Sequence, residues 1–347
     1  MAKIVILGAG VMGTALTVPA TDNGHDVLLV GTPLDRKVIA EMHRRGGSHP
    51  KLDEPCSRLV TAISVDDLGS EHLEGADIVI VGVSSPGIGW AVDVLNNLMV
   101  NRLPVAFVTK GLAVRGEGLA TYAETLPPQL RQMHAFIGIG GPCIARELAN
   151  RQPTASIYAC KDLQVAERFA ALMRTDYYRL SVTTDDTGVE ACAALKNFFA
   201  IGVSAMQTQY PDKKRGGGQS KNPTAAAFTQ ATLEMARLCE RLGGHPATAF
   251  GLAGLGDLHV TVGGGRNSRL GHGLGRNQNF TDLMSNELAG ETVEGVDTAR
   301  ALATMVLSNA ANTMDDSADY FPLTFAILES LIRQRPFVLD FASLIVR

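Results

Sequence analysis

A chain of 347 residues, 46% of them apolar, is longer than one hydrophobic core usually grows, so two domains with separate cores are expected. A net charge of −4, from 31 basic and 35 acidic residues, excludes the cationic field that nonspecific nucleic-acid binding needs, and no run of about 18 uncharged apolar residues reads as a membrane span. Cys56, Cys143, Cys160, Cys192 and Cys239 contain no C-x-x-C pair, and the apolar run Ile4–Leu7 is too short for a signal peptide; both features point to a reducing, cytoplasmic setting.

The first half alternates short apolar runs with helical-looking stretches, the pattern of a parallel sheet wound with helices. The first strand, Lys3–Leu7, runs straight into Gly8-Ala9-Gly10-Val11-Met12-Gly13. A G-x-G-x-x-G between a strand and a helix is a dinucleotide fingerprint. Its first glycine makes the tight turn, its second lets the backbone approach a pyrophosphate, and its third lets helix and strand pack closely. The second strand, Asp26–Val30, ends in Gly31-Thr32-Pro33-Leu34-Asp35-Arg36. Gly31 stands where an acidic residue would hold the adenosine ribose. Asp35 would repel a 2′-phosphate and Arg36 would attract one, so the choice between NAD and NADP stays open.

Further strands are expected at Asp77–Val81, Val105–Thr109, His134–Ile139 and Tyr178–Thr183. Lys110 directly follows one of them, which puts an ammonium at the carboxyl end of a parallel strand, where open α/β sheets bind ligands. A solvated strand-end lysine has the same position, so placement alone does not decide its role.

From Thr187 the periodicity becomes helical, with helices expected at Val189–Met206, Thr224–Leu242, Leu283–Ala289, Asp297–Leu307 and Pro322–Ile332. The expected division is a dinucleotide-binding domain over residues 1–186 and an all-helical substrate domain over 187–347. Thr187-x-x-Glu190 reads as a capping box. From it Val189, Cys192, Ala193, Lys196, Phe199, Ala200 and Val203 fall on one stripe, with a lysine in its middle. Burying an unpaired ammonium costs several kcal/mol, so Lys196 needs either a partner or a route to solvent. Residues 210–221 (YPDKKRGGGQSK) form a polar, glycine-rich loop without the spacing of a phosphate loop. Gly251-Leu-Ala-Gly-Leu-Gly-Asp257 is followed by Thr261 and by Gly263-Gly264-Gly265-Arg266-Asn267. Backbone N–H groups, a helix N-terminus and a guanidinium can converge there on a phosphate. No histidine spacing such as H-x-x-x-H suggests a metal.

These residues resemble the soluble NAD(P)-dependent glycerol-3-phosphate dehydrogenases. The matching stretches are VILGAGVMGTAL (5–16), VTKGL (108–112), GGPCIARELA (140–149), GVEACAALKN (188–197), GLAGLGDLHVT (251–261), GGRN (264–267) and VEGVDTA (293–299), in family order. The resemblance implies a Rossmann-type, doubly wound parallel sheet followed by an all-helical domain, an NAD or NADP cofactor, a small phosphorylated substrate and a homodimer. It implies that Lys196 is the proton donor and acceptor, that Lys110 touches substrate and nicotinamide, and that Asp257 and Thr261 orient the site. Asn197, Arg266 and Asn267 are implied to hold the substrate. Gly8, Gly10, Val11, Met12, Gly13, Thr32, Lys110, Gly141, Ala145, Arg266 and Glu294 are implied to hold the cofactor.

The loop 210–221 is longer and more basic than the family's, although Asn222 matches an asparagine found there. His259 and Gly263–Gly265 alter a region that shapes the substrate pocket. Three other readings start from the same residues: a β-hydroxyacid dehydrogenase, a paralogue acting on another phosphorylated polyol such as a tetrose derivative, and a nicotinamide sensor without turnover. The ALKNF and GGRN stretches argue against the first. Retention of Lys110, Lys196 and Asp257 together argues against the sensor.

Overall fold

Runs of Val, Ile, Leu and Phe make the strands of the computed structural model: β1 (Lys3–Leu7), β2 (Asp26–Gly31), β3 (Val60–Ser64), β4 (Ile78–Val81), β5 (Leu103–Phe107), β6 (Leu112–Arg115), β7 (Gly118–Thr121), β8 (Met133–Gly140), β9 (Thr154–Ala159) and β10 (Tyr178–Thr183). The structure describes residues 1–115, 118–211, 219–309 and 320–344. Eight strands form one sheet in the order β10-β9-β8-β5-β4-β1-β2-β3. With the β6–β7 hairpin set aside, the run 3-2-1-4-5-8 is the doubly wound order, and its direction of winding reverses between β1 and β4. All pairings in this sheet are parallel except β8 with β9, so β9 and β10 run opposite to the rest. Val5, Ile6, Leu7, Val79, Ile80 and Val81 are fully buried, which is why these strands read as unbroken apolar runs rather than as alternating ones.

Contacts divide the chain into two units: Met1–Lys110 with Ala123–Val189, and Gly111–Tyr122 with Glu190–Arg347. The first carries the eight-stranded sheet and helices α1 (Val11–Asp22), α2 (Arg36–Arg44), α3 (Ser70–Leu73), α4 (Ile88–Leu98), α5 (Tyr122–Thr125), α6 (Ala145–Ala149) and α7 (Leu163–Met173). The second carries α8 (Asp186–Gln209), α9 (Lys221–Arg241), α10 (Asp257–Val262), α11 (Arg266–Gly275), α12 (Phe280–Ser285), α13 (Glu294–Asn309) and α14 (Pro322–Leu331). The antiparallel hairpin β6–β7, which lies inside the expected 1–186 domain, clusters with this second unit and contacts α13. Among its described residues the second unit is therefore helical except for one borrowed hairpin.

Helix α8 differs from its expected form in two ways. It begins at Asp186, and the residue that caps it is Asp185, whose Oδ1 accepts from Gly188 N at 3.0 Å in the role assigned to Thr187. Residues 188–206 are buried all round rather than along one stripe. The helix is long and apolar enough to cross a membrane, but its apolar window is 100% buried within the protein, as in a core helix. Neighbouring helices reach its backbone through glycine. A Cβ on Gly271 would lie 2.2 Å from Ile201 O, one on Gly275 2.1 Å from Ala205 O, and one on Gly295 2.5 Å from Asn197 O. No larger residue fits at these three contacts, which set α11 and α13 directly against α8.

Glu234, buried in α9, accepts from Leu323 N, Thr324 N, Thr324 Oγ1 and Gln230 Nε2 at 2.6–2.8 Å and so caps α14. The helix expected at Leu283–Ala289 instead occupies Phe280–Ser285, because Asn279 caps it by accepting from Thr281 N. Of the basic loop 210–221, residues 212–218 lie outside the described residues.

Candidate active site

The glycine loop is built by close contact. Gly8 has φ +112°, and a Cβ there would sit 2.7 Å from Gly82 O; a Cβ on Gly13 would sit 2.0 Å from Gly8 O. A Cβ on Gly10 would meet nothing within 4 Å, so the space a side chain would fill is left for a ligand. The N-terminus of α1 follows at Val11, and Gly8 and Gly10 line a cavity of about 450 Å³ with Thr32, Asp35, Pro86 and Trp90. These residues follow the carboxyl ends of β1, β2 and β4, beside the reversal in strand order, where such sheets bind nucleotides. A loop that admits backbone but no side chain, open space at its middle glycine and a helix N-terminus together fit a dinucleotide pyrophosphate.

Lys110, Gly141 and Ala145 occupy the same edge of the sheet. Lys110 lies three residues beyond β5; its carbonyl accepts from Ser85 Oγ at 2.9 Å, and Thr109 Oγ1 donates to Val83 O at 2.6 Å. These bonds tie the end of β5 to the turn after β4. Gly141, with φ +101°, ends β8 and turns the chain into α6, which starts at Ala145.

In the second unit the lysine on the core helix has its partners. Lys196 Nζ donates to Asp257 Oδ1 at 2.8 Å and to Thr261 Oγ1 at 2.8 Å, and the two ionic side chains are only 9% and 3% exposed. Thr261 gives its own hydroxyl proton to Asp257 O at 2.7 Å, so its oxygen must accept from the ammonium. The partners come from one short helix, α10, four residues apart on one face. A π-helical turn, Leu252–Gly256, leads into it, with Gly254 placed where a Cβ would meet Ala249 O at 2.2 Å. Single π-helical turns recur at functional sites because they re-aim the residues that follow.

One helical turn of polar groups continues from Lys196. Asn197 Nδ2 donates to Glu294 Oε2 at 3.0 Å, Asn267 Nδ2 donates to Asn197 Oδ1 at 3.0 Å, and Gly295 N donates to Asn267 Oδ1 at 2.9 Å. Arg266 Nη2 stands 3.4 Å from Glu294 Oε1, with both side chains nearly half exposed. Gly265, at φ +98°, turns the chain so that Arg266 and Asn267 begin α11. The seven residues Lys196, Asn197, Asp257, Thr261, Arg266, Asn267 and Glu294 thus share this unit.

Sequence reasoning missed Pro86 and Trp90, which close the cavity after β4, and it missed His49. The His49 ring is buried, and its Nδ1 accepts from Lys51 N at 3.0 Å. The Ser-Pro-Gly closure after β4 was the available signal for the first pair; nothing local marks His49.

Known proteins share this architecture. A family model for the N-terminal part of NAD-dependent glycerol-3-phosphate dehydrogenase matches residues 3–166, and its C-terminal counterpart matches residues 185–337. The chain is 34% identical over 303 residues to an NADP(+)-dependent glycerol-3-phosphate dehydrogenase of Archaeoglobus fulgidus, covering 85% of this chain and 87% of that one. It is 33% identical to a glycerol-3-phosphate dehydrogenase [NAD(P)+] of Streptococcus equi subsp. zooepidemicus, over 95% of this chain and 91% of that one. The crystal structure of glycerol-3-phosphate dehydrogenase from Coxiella burnetii superposes with a TM-score of 0.78 at 28% identity, covering 96% of each chain. With family models matching both of its parts and relatives at this identity along most of its length, the chain belongs to the NAD(P)-dependent glycerol-3-phosphate dehydrogenase family.

Proposed function

We propose that the chain interconverts dihydroxyacetone phosphate and sn-glycerol 3-phosphate, with Lys196 as the group that gives and takes the proton. The observation that carries this reading is the buried Lys196 ammonium aimed by Asp257 and Thr261. A nicotinamide, when bound, supplies the hydride to the ketone carbon or takes it up from the alcohol. Lys196 donates to the oxygen on that carbon as negative charge develops there, and in the reverse direction it receives the proton. A positioned proton donor of this kind contributes about 10²- to 10⁴-fold, and charge stabilisation by a fixed cation adds to it. Asp257 offsets the cost of keeping an ammonium out of water and holds its direction.

Arg266, Asn267 and the N-terminus of α11 hold the substrate phosphate, with Asn197 and Glu294 keeping the asparagine amide oriented. Binding energy at the phosphate is thereby converted into orientation at the reacting carbon. Lys110 adds a second cation for the substrate and the nicotinamide end. Gly8, Gly10, Val11, Met12, Gly13, Thr32, Gly141 and Ala145 hold the dinucleotide. The same reading takes the enzyme as a cytoplasmic homodimer.

The test is to follow reduced-nicotinamide absorbance with dihydroxyacetone phosphate, using NADH and NADPH in turn, with erythrulose phosphate in parallel. Rapid oxidation with dihydroxyacetone phosphate is expected. Activity with the tetrose derivative alone moves the substrate, and silence with both overturns the proposal.

A further inference from the structure

We propose that Asp35 makes this chain select NAD(H) over NADP(H), an inference that rests on the dehydrogenase reading above. Strand β2 ends at Gly31, where a Cβ would lie 2.6 Å from Ile39 Cγ1 of α2. The packing of α2 therefore bars an acidic side chain from the strand end, the usual position for the residue that holds the adenosine ribose. The acid is supplied four residues later. Asp35 Oδ2 accepts from Thr32 N at 2.9 Å, from Thr32 Oγ1 at 2.8 Å and from Ala9 N at 3.3 Å, which pins the turn after β2 to the glycine loop. Oδ1 carries no hydrogen bond among the described residues and is left to accept from a ribose hydroxyl.

Charge around the cavity decides between the two cofactors. Asp35 is the one ionisable side chain among the described residues that line the 450 Å³ cavity beside Gly8 and Gly10. Arg36, the residue whose sign favours a 2′-phosphate, is turned away: its Nε and Nη2 bind Asp66 Oδ2 and Oδ1 at 2.7 and 2.9 Å. Arg45 and Lys51, whose charges reach His49, do not line the cavity. His49 itself is pushed below its ordinary value by burial, which disfavours its charged form. A 2′-phosphate bearing about −1.5 to −2 charges near pH 7 meets a fixed carboxylate and no lining cation. A 2′-hydroxyl meets an acceptor already held in place.

The chain's single tryptophan, Trp90, lines this cavity, so its fluorescence reports cofactor binding without turnover. Titration of the full-length protein should show NADH binding at least about 100-fold tighter than NADPH, the scale of one charge-assisted hydrogen bond gained and one repulsion avoided. Asp35→Asn keeps an acceptor for Thr32 and Ala9 but removes the charge, and should narrow that ratio by about 10-fold or more. Leu34→Arg changes a cavity residue that is 92% exposed, so folding is not at risk, and should raise NADPH affinity by a similar factor. Equal binding of the two cofactors by the unmodified protein, or a ratio that neither substitution moves, overturns the proposal. Turnover with dihydroxyacetone phosphate, measured in parallel, separates the two readings. Selective NADH binding without turnover on any phosphorylated ketose would sink the dehydrogenase reading, while turnover with both cofactors at equal efficiency would sink only the selectivity.

Discussion

Removing one partner of the Lys196–Asp257 pair should cost far more stability than removing both. The side chains are 9% and 3% exposed and 2.8 Å apart, so each single loss leaves the other charge buried without this ionic partner. Breaking a buried pair in this way costs about 3–5 kcal/mol, whereas replacing both members by apolar groups of similar volume is close to neutral. Lys196→Met and Asp257→Leu should therefore each destabilise by about 3 kcal/mol or more, a midpoint drop of about 4 °C or more for a chain of this size. The double variant should recover most of that loss. Urea denaturation of the four proteins without ligands gives the coupling energy, and steady-state turnover gives the function. All three variants should lose turnover by at least about 100-fold, because the proton donor is absent or misdirected. A double variant whose loss equals the sum of the single losses would show that the pair is not energetically coupled. Lys196→Met turnover within about tenfold of the unmodified enzyme would remove Lys196 from the chemistry.

Gly271→Ala places a Cβ 2.2 Å from Ile201 O, so α11 must shift away from α8; the expected cost is about 1–3 kcal/mol, with a raised substrate KM because Arg266 and Asn267 ride on that helix. An unchanged KM would refute the link between this packing and phosphate binding. Arg266→Ala should raise the substrate KM at least about tenfold with little effect on cofactor affinity and less than about 1 kcal/mol on stability, since its pairing with Glu294 is long and exposed; equal effects on both ligands place Arg266 elsewhere. Burial lowers the values of His49, His25 and His272 below that of a free imidazole. Their protonation favours the unfolded chain, so stability is present above the ordinary value near 6.5 and is lost as pH falls below it. Denaturation between pH 7.5 and 5.5 should show that decline, and His49→Gln should flatten it; an unchanged slope would mean that the ring does not stay neutral in the fold.

Much of the first unit was legible in the chain itself. Five of the expected strand positions coincide with β1, β2, β4, β5 and β8, because strands covered on both faces must be continuous apolar runs, and β10 was found for a related reason. The edge strand β3 and the antiparallel β9 escaped notice: VTAIS is only half-buried, and TASIYA mixes Ser and Thr into its run. The glycine fingerprint was legible because close backbone approach leaves no other residue type at Gly8 or Gly13. The short helix α10 was not, and of the glycine-rich α11 only the start was, since their stability comes from packing on neighbours rather than from local propensity.

The identity of the candidate groups was set by sequence alone: a lysine inside an apolar helix, an aspartate after a glycine-rich turn, and an Arg-Asn pair at a helix start all announce an unusual electrostatic need. What those groups do to one another was decided by tertiary structure. Lys196 and Asp257 are 61 residues apart in sequence and 2.8 Å apart in space; Asp35 faces a cavity while Arg36, its neighbour, turns to Asp66. Local sequence specifies which charges are present, but their pairing depends on which helices glycine allows to touch, and that is a property of packing across the whole unit.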